Sequence, residues 1–480
     1  MRNNTSNKSI RTAVIETLES RELLSGTPLT ISETSGFNGL QLNITGTAGN
    51  DSITVKQTTA GLVIGNTGGW TTTVAGTFNS ILIKSGNGND SVIVDASVKT
   101  NTTIEGGVGN DTFKSGSGND TIYAGTGTNT ITAGAGNDTI VTLGSTADSV
   151  YGGTGNDSFW MDNSSKEVVY NVRSNELAYG AVHRISSFFG ATQTTPAGST
   201  ATAGKGRNFK KVIPRKSNNT KGKSGQNIAA SLPIAPEPTV TTTGLTFTNF
   251  SNHPLFAANG PTQDDIRQGY VGDCYYLSTL AAVAKVDPMR IEQSVVQLAD
   301  GTYVAQIYKG SQIEYVHVDG ALPTWSNGSP VYANFGQQGS MWVAIMEKAF
   351  ADVRSGANSY ASLNSGWMTE SFSTFGLAST GFYSFSNSAQ LVSTIQSQLA
   401  ANKGVTIGIN APELGAPLIG DHAYEVVGTV ADPKGGTDVV LRNPWGVDGV
   451  ANSSNPNDGY VTVTPAQLFA SEMGVVSAQA

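Results

Sequence analysis

The 480-residue chain holds 57 glycines, 13% charged residues and a formal net charge of −8, a length that accommodates two or three domains. Abundant glycine with few charges belongs to β-rich or repetitive exteriors and speaks against a helical cytosolic enzyme. No run of about 18 apolar residues is present, which excludes a membrane-spanning helix, and Met1–Ile10 lacks the apolar stretch of a standard signal peptide. The single cysteine, Cys274, excludes an intramolecular disulfide.

In chain order, Thr17–Ser25 is an amphipathic patch inside an N-terminal segment, residues 1–28. It resembles a Leu-Glu-x-Arg-x-Leu-Leu motif of some bacterial surface proteins, with Ser20 where that motif has proline. The resemblance implies an export-associated segment; an ordinary short helix is the alternative.

Residues 29–185 are repetitive. Gly-x-Gly-Asn-Asp-[Ser/Thr]-apolar recurs at Gly86–Val92, Gly107–Phe113, Gly116–Ile122, Gly134–Ile140 and Gly153–Phe159, and Gly107, Gly116, Gly125 and Gly134 are nine residues apart. That period predicts an all-β parallel β-roll or solenoid. Each nonapeptide makes a glycine turn and a short strand whose apolar residue (Phe113, Ile122, Ile131, Ile140) points inward. Asp90, Asp111, Asp120, Asp138 and Asp157 supply carboxylates, and neighbouring backbone carbonyls complete an oxygen cage suited to Ca²⁺. Asn129 replaces Asp in one turn, so a site there is expected to be weaker. The segment, with its core at 86–162, resembles the calcium-binding nonapeptide repeats of the repeats-in-toxin family. A metal-free solenoid is the alternative.

Between 186 and 244 the apolar periodicity is lost. Lys205, Arg207, Lys210, Lys211, Arg215, Lys216, Lys221 and Lys223 cluster with no intervening acid, and Ala235-Pro236-Glu237-Pro238 closes the stretch. This composition predicts a flexible basic linker, open to proteolytic nicking. A tail for an anionic polymer is the alternative. Aromatic residues do not accompany the later lysines, so nucleic acid is not expected as a partner.

Residues 245–480 read as an α+β domain. Helical spacing covers Tyr275–Val286 and Met341–Val353, and strands are expected at Tyr303–Lys309, Ile313–Val318, Val405–Ile409, Ala423–Val430 and Val439–Arg442. Cys274 stands at the start of the first helix, after Gly269 and Gly272. Unpaired N–H groups and the positive end of the helix dipole there favour thiolate. Gln268 could aim an amide N–H into the same cleft. A thiol nucleophile needs a base and an orienting group. His183 lies outside this domain, His253 reads as a surface residue and His317 as a structural strand residue. His422 opens a strand, and Asn443, in Arg442-Asn443-Pro444-Trp445-Gly446, can fix its tautomer while Trp445 covers the bond.

Gln268-Gly269-x-x-Gly272-Asp273-Cys274, Asp421-His422-Ala423-Tyr424 and Leu441–Gly446 together resemble the active-site segments of calpain-type cysteine proteases. Val316–Thr324, Trp342–Ala351 and Asp458–Val463 resemble further segments of that family. The resemblance implies a papain-like fold of two subdomains with substrate between them. It places Cys274 as nucleophile, His422 as general base and acid, Asn443 as orienter, and Gln268 with the Cys274 N–H as oxyanion hole. The expected protein is a secreted or surface-located cysteine endopeptidase acting on protein substrates through a thioester, with calcium bound by the N-terminal repeats. After Gly446 the family's acidic, tryptophan-containing stretch is absent, which leaves calcium switching of the protease core without a sequence basis. Two other classes remain open: a non-catalytic calcium-dependent surface or adhesion protein with a degenerate protease domain, and a transglutaminase-like acyl transferase.

Overall fold

The computed structural model describes residues 21–22, 29–36, 39–66, 69–145, 147–189, 232–383, 385–433, 435–449 and 457–479. Most of the N-terminal patch and of the expected basic linker lies outside the described residues.

Each nonapeptide carries one strand, so consecutive copies land on opposite faces of a coil. Copies two apart then stack in parallel register. Phe113 lies beside Val92 and Ile131 on one face, and Ile122 beside Ile104 and Ile140 on the other. The result is one nine-stranded and one eight-stranded sheet enclosing Ile83, Val92, Ile104, Phe113, Ile122, Ile131, Ile140 and Phe159. Each such buried side chain contributes roughly 1.5–3 kcal/mol. The coil begins with antiparallel hairpins, Thr30–Gly36 with Gly39–Thr45 and Ser52–Thr58 with Gly61–Gly65. The turns need glycine because coils touch there: at Gly127 (φ 127°) a Cβ would stand 1.8 Å from the Gly109 carbonyl oxygen.

Helix α1 (Ser174–Tyr179) closes the open end. Its Glu176 accepts from the Asp157 N–H at 3.1 Å, taking the place of the carboxylate of a next coil.

The C-terminal unit has two halves. The first contains α2 (Cys274–Val286), α3 (Pro288–Glu292), an antiparallel sheet of Val295–Gln297, Tyr303–Lys309 and Gln312–Val318, and α4 (Trp342–Val353). Every residue of α4 is buried, including Lys348, whose charge is met by Glu237 at 2.9 Å and Asp319 at 2.7 Å. The second half is a five-stranded antiparallel sheet in the order Tyr460–Val463, Thr437–Arg442, His422–Ala431, Lys403–Ile409, Glu472–Gln479. The expected helices and strands are present, with ends shifted by no more than two residues. Residues 232–244, grouped with the linker from composition, are seated on this unit: the Ala235 N–H donates to the His317 carbonyl at 2.7 Å.

The repeat unit and the protease unit share a core of Tyr123, Val141, Leu143, Trp160, Ile185, Phe188, Val296, Leu298 and Val304. Trp160 stacks on His183 at 3.9 Å between ring centres, with Tyr315 edge-on to both. His183 Nδ1 donates to Gln306 Oε1 at 2.8 Å, and the Tyr123 hydroxyl donates to the Gln297 carbonyl at 2.9 Å.

Candidate active site

Cys274 is the first residue of α2, and the Asp273 carbonyl accepts the Tyr276 and Leu277 N–H groups of the first turn. The helix is held by the buried Leu277, Leu280, Ala281 and Ala284, the face expected from their spacing. The preceding loop must hug its neighbour, since a Cβ on Gly269 would lie 2.0 Å from the Tyr332 carbonyl oxygen. Gln268 is tied across the molecule: its N–H donates to the Pro444 carbonyl at 2.8 Å. Its side-chain Nε2 donates to Val271 O at 2.7 Å, which leaves one amide hydrogen for a ligand.

His422 begins its strand after Asp421, which adopts a left-handed φ of 50° that aspartate tolerates better than most residues. The imidazole Nε2 lies 2.9 Å from Asn443 Oδ1. That oxygen also receives the Trp445 N–H at 3.0 Å, and Asn443 Nδ2 donates to Asp448 O at 3.2 Å. Oδ1 is therefore the acceptor, Nε2 carries the hydrogen, and Nδ1 is left as the base in the neutral ring. Trp445 lies 4.9 Å from the imidazole, centre to centre. Asn443 is fully buried and His422 nearly so.

Gln268, Cys274, His422 and Trp445 line one cleft of about 750 Å³, whose lining also includes Trp367, Met368, Ile419 and Met473. Arg442 joins the two halves beside it, pairing with Asp264 at 3.3 Å and donating to Ile266 O at 3.1 Å. Gln263 Nε2 donates to the Tyr460 hydroxyl at 2.8 Å, and that hydroxyl donates to Asp264. His183 and His317 are fully buried away from the cleft, and His253 stacks on Phe335 at 4.3 Å.

The thiol departs from expectation. Burial pushes Cys274 up to about 11, with the Asp273 charge adding to it, against the N–H groups of Ala423, Tyr275 and Cys274 itself. Desolvation therefore outweighs the helix N-terminus that the sequence emphasised. Burial also lowers His422, opposed by its bond to Asn443. Both shifts favour the uncharged forms of the two groups.

In the coil, the aspartates form two rows rather than one. On one edge the Asp51, Asp90, Asp111 and Asn129 N–H groups donate to the side chains of Asp90, Asp111, Asn129 and Asp148. On the other, the N–H groups of Thr102, Asp120 and Asp138 donate to Asp120, Asp138 and Asp157. Each carboxylate thus spends Oδ1 on the neighbouring coil. The Oδ2 atoms of Asp90, Asp111, Asp138, Asp148 and Asp157 are buried with no hydrogen-bond partner. Burial raises Asp138 to about 8, Asp148 to about 7 and Asp111 to about 6. Rows of unsatisfied buried carboxylate oxygens fit hard divalent cations. Among the described residues no three acidic, His or Cys side chains converge on a point, so backbone carbonyls would have to complete any cage. Asp148 is absent from the sequence-derived set because no Gly-x-Gly precedes it; its Asp-Ser-Val ending was the available signal.

A cysteine at a helix start, an imidazole oriented by asparagine and a cleft between two halves define a papain-like cysteine peptidase domain. Comparison with known proteins makes the class specific. Residues 240–456 match the calpain family cysteine protease, and residues 103–140 and 142–160 match the RTX calcium-binding nonapeptide repeat. Mouse (Mus musculus) calpain-8 is 31% identical over 235 residues, covering 45% of this chain and 33% of that protein. The calpain-2 catalytic subunit of Bos taurus is 28% identical over 240 residues, with the same coverage. The calpain-1 catalytic subunit of Sus scrofa is 32% identical over 213 residues, 41% of this chain and 29% of that protein. The chain thus carries a calpain-type cysteine protease domain behind RTX calcium-binding repeats, and spans about a third of the length of the curated relatives it matches.

Proposed function

We propose that the protein is a cysteine endopeptidase that hydrolyses peptide bonds in protein substrates. The observation that carries this reading is the His422–Asn443 hydrogen bond of 2.9 Å on a cleft wall shared with Cys274. Cys274 Sγ attacks the scissile carbonyl as its proton passes to His422 Nδ1. The oxyanion forms against the Gln268 amide and the Cys274 N–H, donors of a kind that contribute roughly 2.7–4 kcal/mol. The imidazolium gives its proton to the leaving amine, and water then hydrolyses the thioester. Burial favours the uncharged thiol and imidazole, which supports a proton transfer that accompanies attack.

Asp90, Asp111, Asp120, Asp138 and Asp157, joined by Asp148, would hold calcium along the coil, where the ion would neutralise carboxylates whose charge burial disfavours. Calcium-binding repeats support a location outside the cell or on its surface, where calcium is plentiful. Among the described residues no helix is long and apolar enough to cross a membrane. The domain boundaries that fit best are a repeat unit of 29–185, a linker that begins at 186, and a protease unit that takes in residues 232–244, since the Ala235 N–H donates to the His317 carbonyl.

The test is digestion of a casein-type substrate by the wild type and by Cys274→Ala, with calcium and with chelator. Hydrolysis by the wild type alone supports the reading. Equal inactivity of both, with calcium still bound, would instead establish a non-catalytic calcium-dependent surface protein.

A further inference from the structure

The residue that precedes the nucleophile is unusual. Asp273 is completely buried, and neither carboxylate oxygen has a well-formed hydrogen bond, although the Gln268 amide and its own backbone N–H lie close enough to favour its charge. The carboxyl of Glu347, on α4 and equally buried, lies within hydrogen-bond reach of it. Glu347 Oε2 accepts the Ala333 N–H at 2.9 Å, while Oε1 has no donor. Two carboxyls can hydrogen-bond only if at least one is protonated. We propose that Asp273 and Glu347 share a proton and that the charge on this pair modulates the ionisation of Cys274 on top of the effect of burial, Glu347 acting through Asp273 as a positioning residue.

The surroundings leave few other partners. Arg354 faces Asp273 at longer range, but its guanidinium is engaged by Glu370 at 2.8 Å and by the Ser362 and Ser365 carbonyls. Lys348, beside Glu347 in sequence, turns to Glu237 and Asp319. Tyr275, Tyr276, Tyr332 and Tyr360 face the pair as neutral phenols. Gln268 is the remaining polar neighbour of Asp273. Burial holds Glu347 well above the usual carboxylate range, so it is the proton donor, and raises Asp273 to about 7. Asp273 therefore changes charge in the neutral range next to a thiol whose ionisation that charge opposes. Below that point the pair is uncharged; above it the pair carries one negative charge.

The inference rests on Cys274 being the nucleophile, but its test does not need hydrolysis. Cys274 is the only cysteine, so iodoacetamide alkylation of the full chain reads it alone: the thiolate displaces iodide and the rate follows thiolate fraction. The wild-type rate between pH 5 and 11 should show two inflections, one near 7 from Asp273 and one higher from the thiol. Asp273→Asn should leave one, with the thiol step about one pH unit lower. Glu347→Gln, which keeps a donor, should retain the wild-type shape. Glu347→Leu, which removes the donor, should move the lower inflection up by about one unit. An unchanged thiol step in Asp273→Asn overturns the proposal. So do identical profiles for Glu347→Gln and Glu347→Leu, a comparison that decides alone if circular dichroism shows Asp273→Asn unfolded. A protein with these shifts that cleaves no substrate would fail the peptidase reading only, and a protease without them would fail this inference only.

Discussion

Asn443 shows how much one side chain decides in this site. It accepts from His422 and from the Trp445 N–H, and its own amide is anchored to Asp448 O, so it fixes both ring orientation and tautomer. Asn443→Ala should lower kcat by roughly 100-fold, the usual cost of misplacing a reacting group, with KM little changed; steady-state kinetics on a peptide substrate checks this. His422 is held below its ordinary value by burial. The base should accordingly remain neutral into mildly acidic solution, and kcat/KM should fall only below about pH 6.5, the unperturbed histidine value. A pH–rate profile whose acid limb sits above that value would contradict it.

At the scale of the element, the coil is held by two kinds of contact that pull differently. Inward apolar rows favour stacking under any conditions. The carboxylate rows leave buried Oδ2 atoms unsatisfied, which costs free energy until a cation or proton arrives. Calcium should therefore raise the melting temperature of the repeat unit. Asp138→Asn should move the calcium midpoint, followed by far-UV circular dichroism, to higher concentration. Gly127→Ala should be worse than an ordinary surface change, because the new methyl meets the Gly109 carbonyl at 1.8 Å; coils there must part, and the repeat unit should lose its cooperative melting transition. The catalytic helix behaves differently. Its N-terminus would support thiolate in water, but the burial around Cys274 outweighs that advantage.

At the scale of the whole molecule, the repeat unit is packed against the half that carries Cys274. The shared core includes Trp160, and Gln293, just after α3, donates to Asp157 O at 3.4 Å. Trp160→Ala should cost about 3–5 kcal/mol and uncouple the melting of the two units, which differential scanning calorimetry resolves. His183 is fully buried in that interface and burial lowers it from 6.5 to about 4. The unfolded chain therefore binds a proton that the folded chain refuses between those values. The contribution is fully present above pH 6.5 and is lost as pH falls toward 4, up to about 3 kcal/mol. Denaturant titrations at pH 7 and pH 5 should show a larger acid loss for the wild type than for His183→Gln.

Local chemistry made much of this legible beforehand. The nine-residue period required a coil, the β-branched, apolar run of Val439–Arg442 required a strand, and the resemblance carried by the residue types around Cys274, His422 and Asn443 implied a cleft that brings them together. These follow from the sequence because each depends on spacing along one segment or on residue type alone. The sequence was silent where distance in the chain is long and the deciding quantity is burial. It could not show that consecutive nonapeptides divide their aspartates between two edges, since that depends on strand stacking. It could not show Glu347 against Asp273, or Trp160 and His183 docked on Tyr315. Nor could it show that desolvation overrides the helix N-terminus at Cys274, because a thiol's ionisation is set by how much water the folded chain removes from it.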